Sequence, residues 1–323
     1  MGELVEAAKA LSAPATKLIE VVSRGIGKGY DPRYKKRMAD ATAYEIDTIA
    51  GAIRRNGDVP ILFDREGVQL DARSAQDLIE RTGMRLFSQE VRKQQNIEAI
   101  VDKAYEELKN EESVSNEPVD EDWIVRFFNS VEDVSNEKLQ EIWAKILAGE
   151  IKKPRSSSLR TLDLLKNQSV NEAILFEKVS SCIIRSGEKA LIPNEPDLWK
   201  AQDVKFSDLI ALSDAGIINL SLVSLTLYIS DVNNVLYNDF IMGALRSSSE
   251  NSPKSIGINV YVLTEAGRDL IRASKSDKHR CRDFSLSYFR KLKNEKENVA
   301  VFAYDVLSID NNNITHGLVN LIH

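Results

Sequence analysis

The spacing of the apolar residues changes along the chain near Pro193 and Pro196. Upstream of this point apolar residues recur every three or four positions, which is the period of an α-helix. Downstream, within 220–263, stretches rich in β-branched and aromatic residues alternate as they do in strands. We therefore predict a mainly α chain with a C-terminal α+β module.

The helical part itself divides at a polar segment. Residues 110–122, rich in Glu, Ser and Asp, have the composition of a linker. We predict a helical N-terminal region over 1–112, a central helical domain over 113–190 and an α+β domain over 191–323. In the central domain, Ser169 and Glu172 match a helix capping box. Its most regular apolar stripe comprises Leu139, Ile142, Trp143, Ile146 and Leu147.

The α+β domain contains a strand that runs directly into a helix. Residues 260–270 read Val-Tyr-Val-Leu-Thr-Glu-Ala-Gly-Arg-Asp-Leu. Thr264 can cap the helix, and the small Gly267 can let it pack closely on the sheet. This arrangement resembles the last hairpin and closing helix of winged-helix domains, so we expect helical N-terminal and central regions followed by a winged-helix-like domain.

The formal net charge of −6 conceals two basic islands, over 24–37 and 268–296. Either island could contact phosphate groups of nucleic acid or lipid, and ordinary solvated helix faces also explain both. The predicted recognition helix at 207–215 lacks Lys and Arg, which counts against base readout in DNA. The candidate anion or nucleic-acid contacts are Arg24, Lys28, Lys35, Lys36, Arg37, Arg272, Lys278, Arg280 and Arg282.

Residue types that carry out catalysis or bind metals are sparse. Two cysteines and three histidines are present, without a CxxC pair, which excludes a disulfide scaffold and most metal sites. The glycine-rich stretch 25–29 lacks the GxxxxGK[ST] pattern of a phosphate loop and is interpreted as a flexible turn. Cys281, between Arg280 and Arg282, is either a surface thiol or one with a pKa lowered by these charges. We predict no catalytic residue, cofactor, metal or small-molecule substrate.

We expect neither a leader nor a membrane span in this chain. Its first residues are acidic, and no apolar core follows a basic region as in a signal peptide. The longest apolar stretch, 217–229, is interrupted by polar residues, and crossing a bilayer needs about 20 apolar residues. We therefore expect a cytoplasmic protein.

Two stretches carry a family resemblance. One runs from Leu11 to Pro32; the other runs from Trp123 to Leu162 and contains Leu-Gln-Glu-Ile-Trp-Ala-Lys-Ile-Leu-Ala-Gly-Glu-Ile. Together they resemble the bacterial domain of unknown function 2806 family. The second stretch is also similar to the abortive-infection alpha proteins, a class associated with defence against phage. Its motif residues are Trp123, Trp143, Leu147, Gly149, Glu150 and Arg160.

The resemblance implies a bacterial cytoplasmic protein with a role in anti-phage defence, and it brings no catalytic residues. The motif itself is interpreted as structural, because Ala144, Ala148 and Gly149 permit close helix approach. We expect a non-enzymatic defence or regulatory protein that acts through a protein partner or self-association. Two alternatives stay open: a DNA-binding regulator that uses the C-terminal module, and a membrane-surface effector that uses residues 4–37.

Overall fold

The structure is a computed structural model that describes residues 12–26, 72–229, 235–247, 253–274, 276–295, 298–310 and 313–321. The chain divides into two compact units, Met1–Arg155 and Ser156–His323. Compactness alone does not tell which parts fold independently. The predicted boundaries at 112 and 190 therefore stay a prediction.

The first unit is built from helices in its described part. They are α1 (Ala13–Ile26), α2 (Ala72–Leu108), α3 (Glu121–Val131) and α4 (Glu137–Lys152). The long α2 packs mainly against α4, and α1 packs mainly against α3.

An aromatic cluster forms the core between α3 and α4. The ring of Phe127 stacks on Trp123 at a centroid distance of 5.0 Å and meets the edge of Trp143 at 5.4 Å. Both arrangements are favourable for aromatic pairs. Asp120 and Asn136 cap the two helices through their side-chain oxygens. The helices predicted here are confirmed.

Gly25 lies in the last turn of α1, against the ring of Phe128. A Cβ atom built on Gly25 would lie 2.0 Å from that ring, so a larger residue would displace it. The interpretation of 25–29 as a turn is therefore wrong at its start, because α1 continues through Ile26. Residues 27–29 lie outside the described residues.

The second unit combines helices with one antiparallel sheet. The helices are α5 (Leu159–Asn167), α6 (Val170–Ser180), α7 (Pro196–Ala201), α8 (Phe206–Asp214), α9 (Glu265–Ala273) and α10 (Lys278–Glu295). The strands are β1 (Ile184–Ser186), β2 (Lys189–Pro193), β3 (Ile218–Tyr228), β4 (Val235–Tyr237), β5 (Ile241–Ser247), β6 (Ser255–Leu263), β7 (Val299–Asp310) and β8 (Asn313–Leu321).

Within the described residues, the eight strands pair in the order β3-β6-β2-β1-β4-β5-β7-β8, and each pair is antiparallel. The β1–β2 hairpin lies inside the sheet, and one arm of strands extends from each of its sides. Helix α10 packs on β7 and β5. Its buried aromatic residues Phe284, Tyr288 and Phe289 contribute to the core of this unit.

This sheet overturns the predicted mainly α fold with a winged-helix-like domain. Strand β1 spans only three residues, too few for alternation to reveal it, and β2 has four consecutive buried residues in place of alternation. Their partners are also distant in sequence, as in the pairing of Leu191 with Val262. Local periodicity does not report pairing at this distance, so the extent of the sheet was missed.

The strand-to-helix junction was nevertheless predicted correctly. The hydroxyl of Thr264 accepts a hydrogen bond from the Gly267 backbone at 3.1 Å and donates one to the Gly216 carbonyl at 2.7 Å. Gly267 lies directly against the carbonyl of Ile217. The junction joins a helix to a sheet by capping and close approach, and it does not indicate a winged helix.

Candidate interaction surface

Three of the four candidate contact residues in the C-terminal basic island bond to other residues of the second unit. Lys278 is exposed at the start of α10. The other three guanidinium groups already bond to oxygen atoms of the same unit, and nucleic-acid binding stays a prediction. The pairs are Arg272 with Asp269 and Ser156, Arg280 with Gln202, and Arg282 with Asp305 and Phe240.

Of the N-terminal candidates, Arg24 alone lies in the described part of the chain. Its guanidinium pairs with Glu121 at the start of α3, and it lies 3.8 Å from Glu20. Arg24 thus ties α1 to α3. The remaining candidates, Lys28, Lys35, Lys36 and Arg37, lie outside the described residues.

The residues of the family motif fall mainly in the core. Glu150, 1% exposed, accepts a hydrogen bond from the backbone N–H of Arg155 at 2.5 Å. Arg155 has a φ of +67°, so this bond helps to hold an unfavourable backbone conformation just beyond α4. Trp123, Trp143, Leu147 and Glu150 are buried, Gly149 is half-buried and Arg160 is exposed. These positions are consistent with a structural role for most of the motif.

The last residues of the stretch from Trp123 to Leu162 bind a buried carboxylate that sequence reasoning missed. Asp269 of α9, 4% exposed, accepts hydrogen bonds from the Ser158 backbone at 3.1 Å and the Thr161 hydroxyl at 2.6 Å. Arg272 lies 3.1 Å from its other oxygen. A carboxylate is favourable at the N-terminus of a helix such as α5. No local signal reveals this contact, since Ser158 and Asp269 are 111 residues apart.

Both cysteines are buried free thiols. Burial raises the pKa of Cys182 and of Cys281 to about 12, so neither the exposed thiol nor the lowered pKa considered for Cys281 is found. Because the thiolate is the reactive form, we expect Ellman's reagent at pH 8 to label neither cysteine in the native protein and both in urea. Rapid labelling of the native protein would contradict this burial.

An open cleft of about 620 Å³ lies in the second unit. Its lining includes Lys178, which bonds to Asp208 at 2.9 Å and lies 3.5 Å from Asp203. The hydrogen bond with Asp208 raises the pKa of Lys178 and keeps it charged. The lining contains no Ser, Thr, Cys or His side chain. Nor does any group of His, Cys, Asp and Glu in the described residues form a set that could hold a metal.

Strand β3 forms one end of the sheet, and no other strand of the described part pairs with its outer side. Its sequence, Ile-Asn-Leu-Ser-Leu-Val-Ser-Leu-Thr-Leu-Tyr, contains neither a charged residue nor proline. Natural edge strands commonly carry such residues, which oppose pairing with another chain. Leu222, Val223 and Tyr228 are 51%, 41% and 58% exposed. Strand β3 is therefore the candidate interaction surface.

The register of β3 determines how it can be used. Pairing with β6 is irregular between Asn219 and Val223 and then continues unbroken to Tyr228. Directly paired residues share a face. One face therefore carries Val223, Leu225 and Leu227, opposite Val260, Ile258 and Ile256 of β6, and the other carries Ser224, Thr226 and Tyr228. The regular edge is about 20 Å long.

Apolar side chains are also exposed on α2, at Met84, Leu86 and Phe87. An exposed helix face presents no unpaired backbone groups, unlike the outer edge of β3, so the exposure of α2 does not by itself indicate how a partner would bind.

The fold and surface define a protein with a helical unit, a second unit built on an antiparallel sheet, and an uncharged edge strand available for contact. No helix of the described part has the length and apolar character needed to span a membrane. A family model described as "Protein of unknown function (DUF2806)" matches residues 80–281, more than half of the chain. The chain belongs to this family, as the stretch from Trp123 to Leu162 predicted, and the stretch from Leu11 to Pro32 lies outside the match. No curated protein and no solved structure matches it.

Proposed function

We propose that the protein is a non-enzymatic component of bacterial anti-phage defence and that it acts in the cytoplasm through protein–protein contacts made by β3. The observation that carries the proposal is the uncharged outer edge of β3 with its three exposed apolar side chains. Backbone N–H and C=O groups on such an edge can bind an additional strand, and neighbouring side chains then provide specificity.

The defence role draws on a second source. The stretch from Trp123 to Leu162 is similar to the abortive-infection alpha proteins, and the burial of most of its motif residues favours a shared structural unit over a shared active site. The internal partners of Arg272, Arg280 and Arg282 favour protein contacts over nucleic-acid contacts.

A phage-challenge assay tests the proposal in a bacterial host that expresses the chain. We expect the wild-type protein to reduce plaque number and Leu222→Lys to abolish the reduction, because a charge is placed on the contact edge. Leu307→Lys is the matched control, since Leu307 is 68% exposed on β7, away from the β3 edge. It should protect like the wild type, since exposed substitutions change stability little.

Two results would overturn the proposal. Plaque numbers equal to those of the empty vector across a panel of phages would remove the defence role. Full protection by Leu222→Lys, at wild-type expression, would remove the contact role of β3.

A further inference from the structure

We infer that the partner of β3 is β3 of a second copy of this chain, paired antiparallel across a two-fold axis that passes beside Leu225. The inference rests on the proposed function, because it names the partner of the same surface. It follows from the charge, the register and the exposure of β3.

The absence of charge on β3 permits pairing with its own copy. A two-fold contact places the same patch of both copies face to face, so any charge on it meets like charges nearby. The whole chain carries a net charge of −6, and two copies therefore repel each other. Strand β3 carries no charge over residues 218–228, so pairing along it avoids direct like-charge contacts.

The register places the axis. A two-fold axis perpendicular to the sheet keeps each face continuous, so a residue can pair only with a residue of the same face. Centred on Leu225, the pairing sets Val223 against Leu227 and Ser224 against Thr226. The result is one apolar ladder and one ladder of Ser224 with Thr226, which Leu222 and Tyr228 flank on the same face. The pairing runs from Leu222, at the end of the irregular stretch, to Tyr228, where the regular part of β3 ends.

The same register accounts for the exposed apolar residues. Leu222 of one copy meets Tyr228 of the other, and these two side chains are 51% and 58% exposed in the single chain. Val223 is 41% exposed on the face where Leu227 is fully buried. A neighbouring strand would complete this face. Pairing over 222–228 provides about six backbone hydrogen bonds, within the range of specific protein interfaces.

Cysteine cross-linking of the full-length protein tests the register. We expect mild oxidation with diamide to link Leu225→Cys into a covalent dimer, because residue 225 faces its own copy. Tyr228→Cys is the control on the same strand, since its two copies would lie about 20 Å apart and should not link. A mixture of Leu222→Cys and Tyr228→Cys should link. The native cysteines should stay unreacted because burial raises the pKa of both to about 12.

Light scattering after size exclusion tests the association itself. We expect the wild-type protein and Leu307→Lys to have twice the monomer mass, and Val223→Lys to have the monomer mass with an unchanged circular dichroism spectrum. A monomeric wild type, or cross-linking of Tyr228→Cys alone in place of Leu225→Cys, would overturn the inference. If the wild type is monomeric but Leu222→Lys still loses phage protection, β3 has a different partner and the proposed function stands.

Discussion

Gly267→Ala is expected to lower the free energy of unfolding of the second unit by about 2–4 kcal/mol. The added Cβ would lie 2.2 Å from the carbonyl oxygen of Ile217, a backbone atom that cannot rotate away. The same oxygen accepts a hydrogen bond from the backbone N–H of Thr264 at 3.0 Å. Moving α9 to relieve the clash would therefore also weaken the helix cap.

Hydrogen exchange during urea titration measures this effect separately in each unit, from peptides of β6 and α9 for the second unit. Gly83→Ala in α2 is the control, because a Cβ there meets no atom within 4 Å. It should stabilise the first unit by up to about 1 kcal/mol through helix propensity. If Gly267→Ala unfolds at the same urea concentration as the wild type, residue 267 does not lie this close to the carbonyl of Ile217.

Asp269→Ala is expected to destabilise the second unit by about 2–4 kcal/mol. The substitution leaves the Ser158 N–H and the fully buried Thr161 hydroxyl without the carboxylate that accepts from both. It also removes the negative charge at the N-terminus of α5 and one of the two partners of Arg272. The contact between α5 and α9 should loosen.

A double-mutant cycle isolates this contact. Thr161→Val and Asp269→Ala should together cost less than the sum of their separate effects, because both remove the same hydrogen bond. Asp163→Ala, at an exposed position of α5, should change stability by no more than about 0.5 kcal/mol. Additive effects of Thr161→Val and Asp269→Ala would argue against direct coupling.

The helices that could be predicted are those with complete local signals. The capping box of α6 is present as predicted, with Ser169 and Glu172 each accepting from the other's backbone N–H. The stripe from Leu139 to Leu147 likewise faces the core, where Trp143 and Leu147 are fully buried. Each of these signals is formed by residues that are close together in the chain, so the sequence alone reveals it.

The sheet and the interaction surface depend on contacts between distant residues. Alternation predicted a strand over 256–263, but it does not tell that β6 is shared between β2 and β3. Alternation also does not reveal that β3 lies at an end of the sheet. This position leaves Leu222 exposed. The sequence likewise left open a surface thiol or a reactive thiol at Cys281. Its two arginine neighbours can be seen in the local sequence, but its burial cannot.

The order of the strands also shows what the last hairpin protects. Strand β7 covers the side of β5 that would otherwise be open. The first five residues of β5 are buried. Without β7 and β8, β5 would become an end of the sheet, and its unpaired backbone N–H and C=O groups would be open to a strand of another chain.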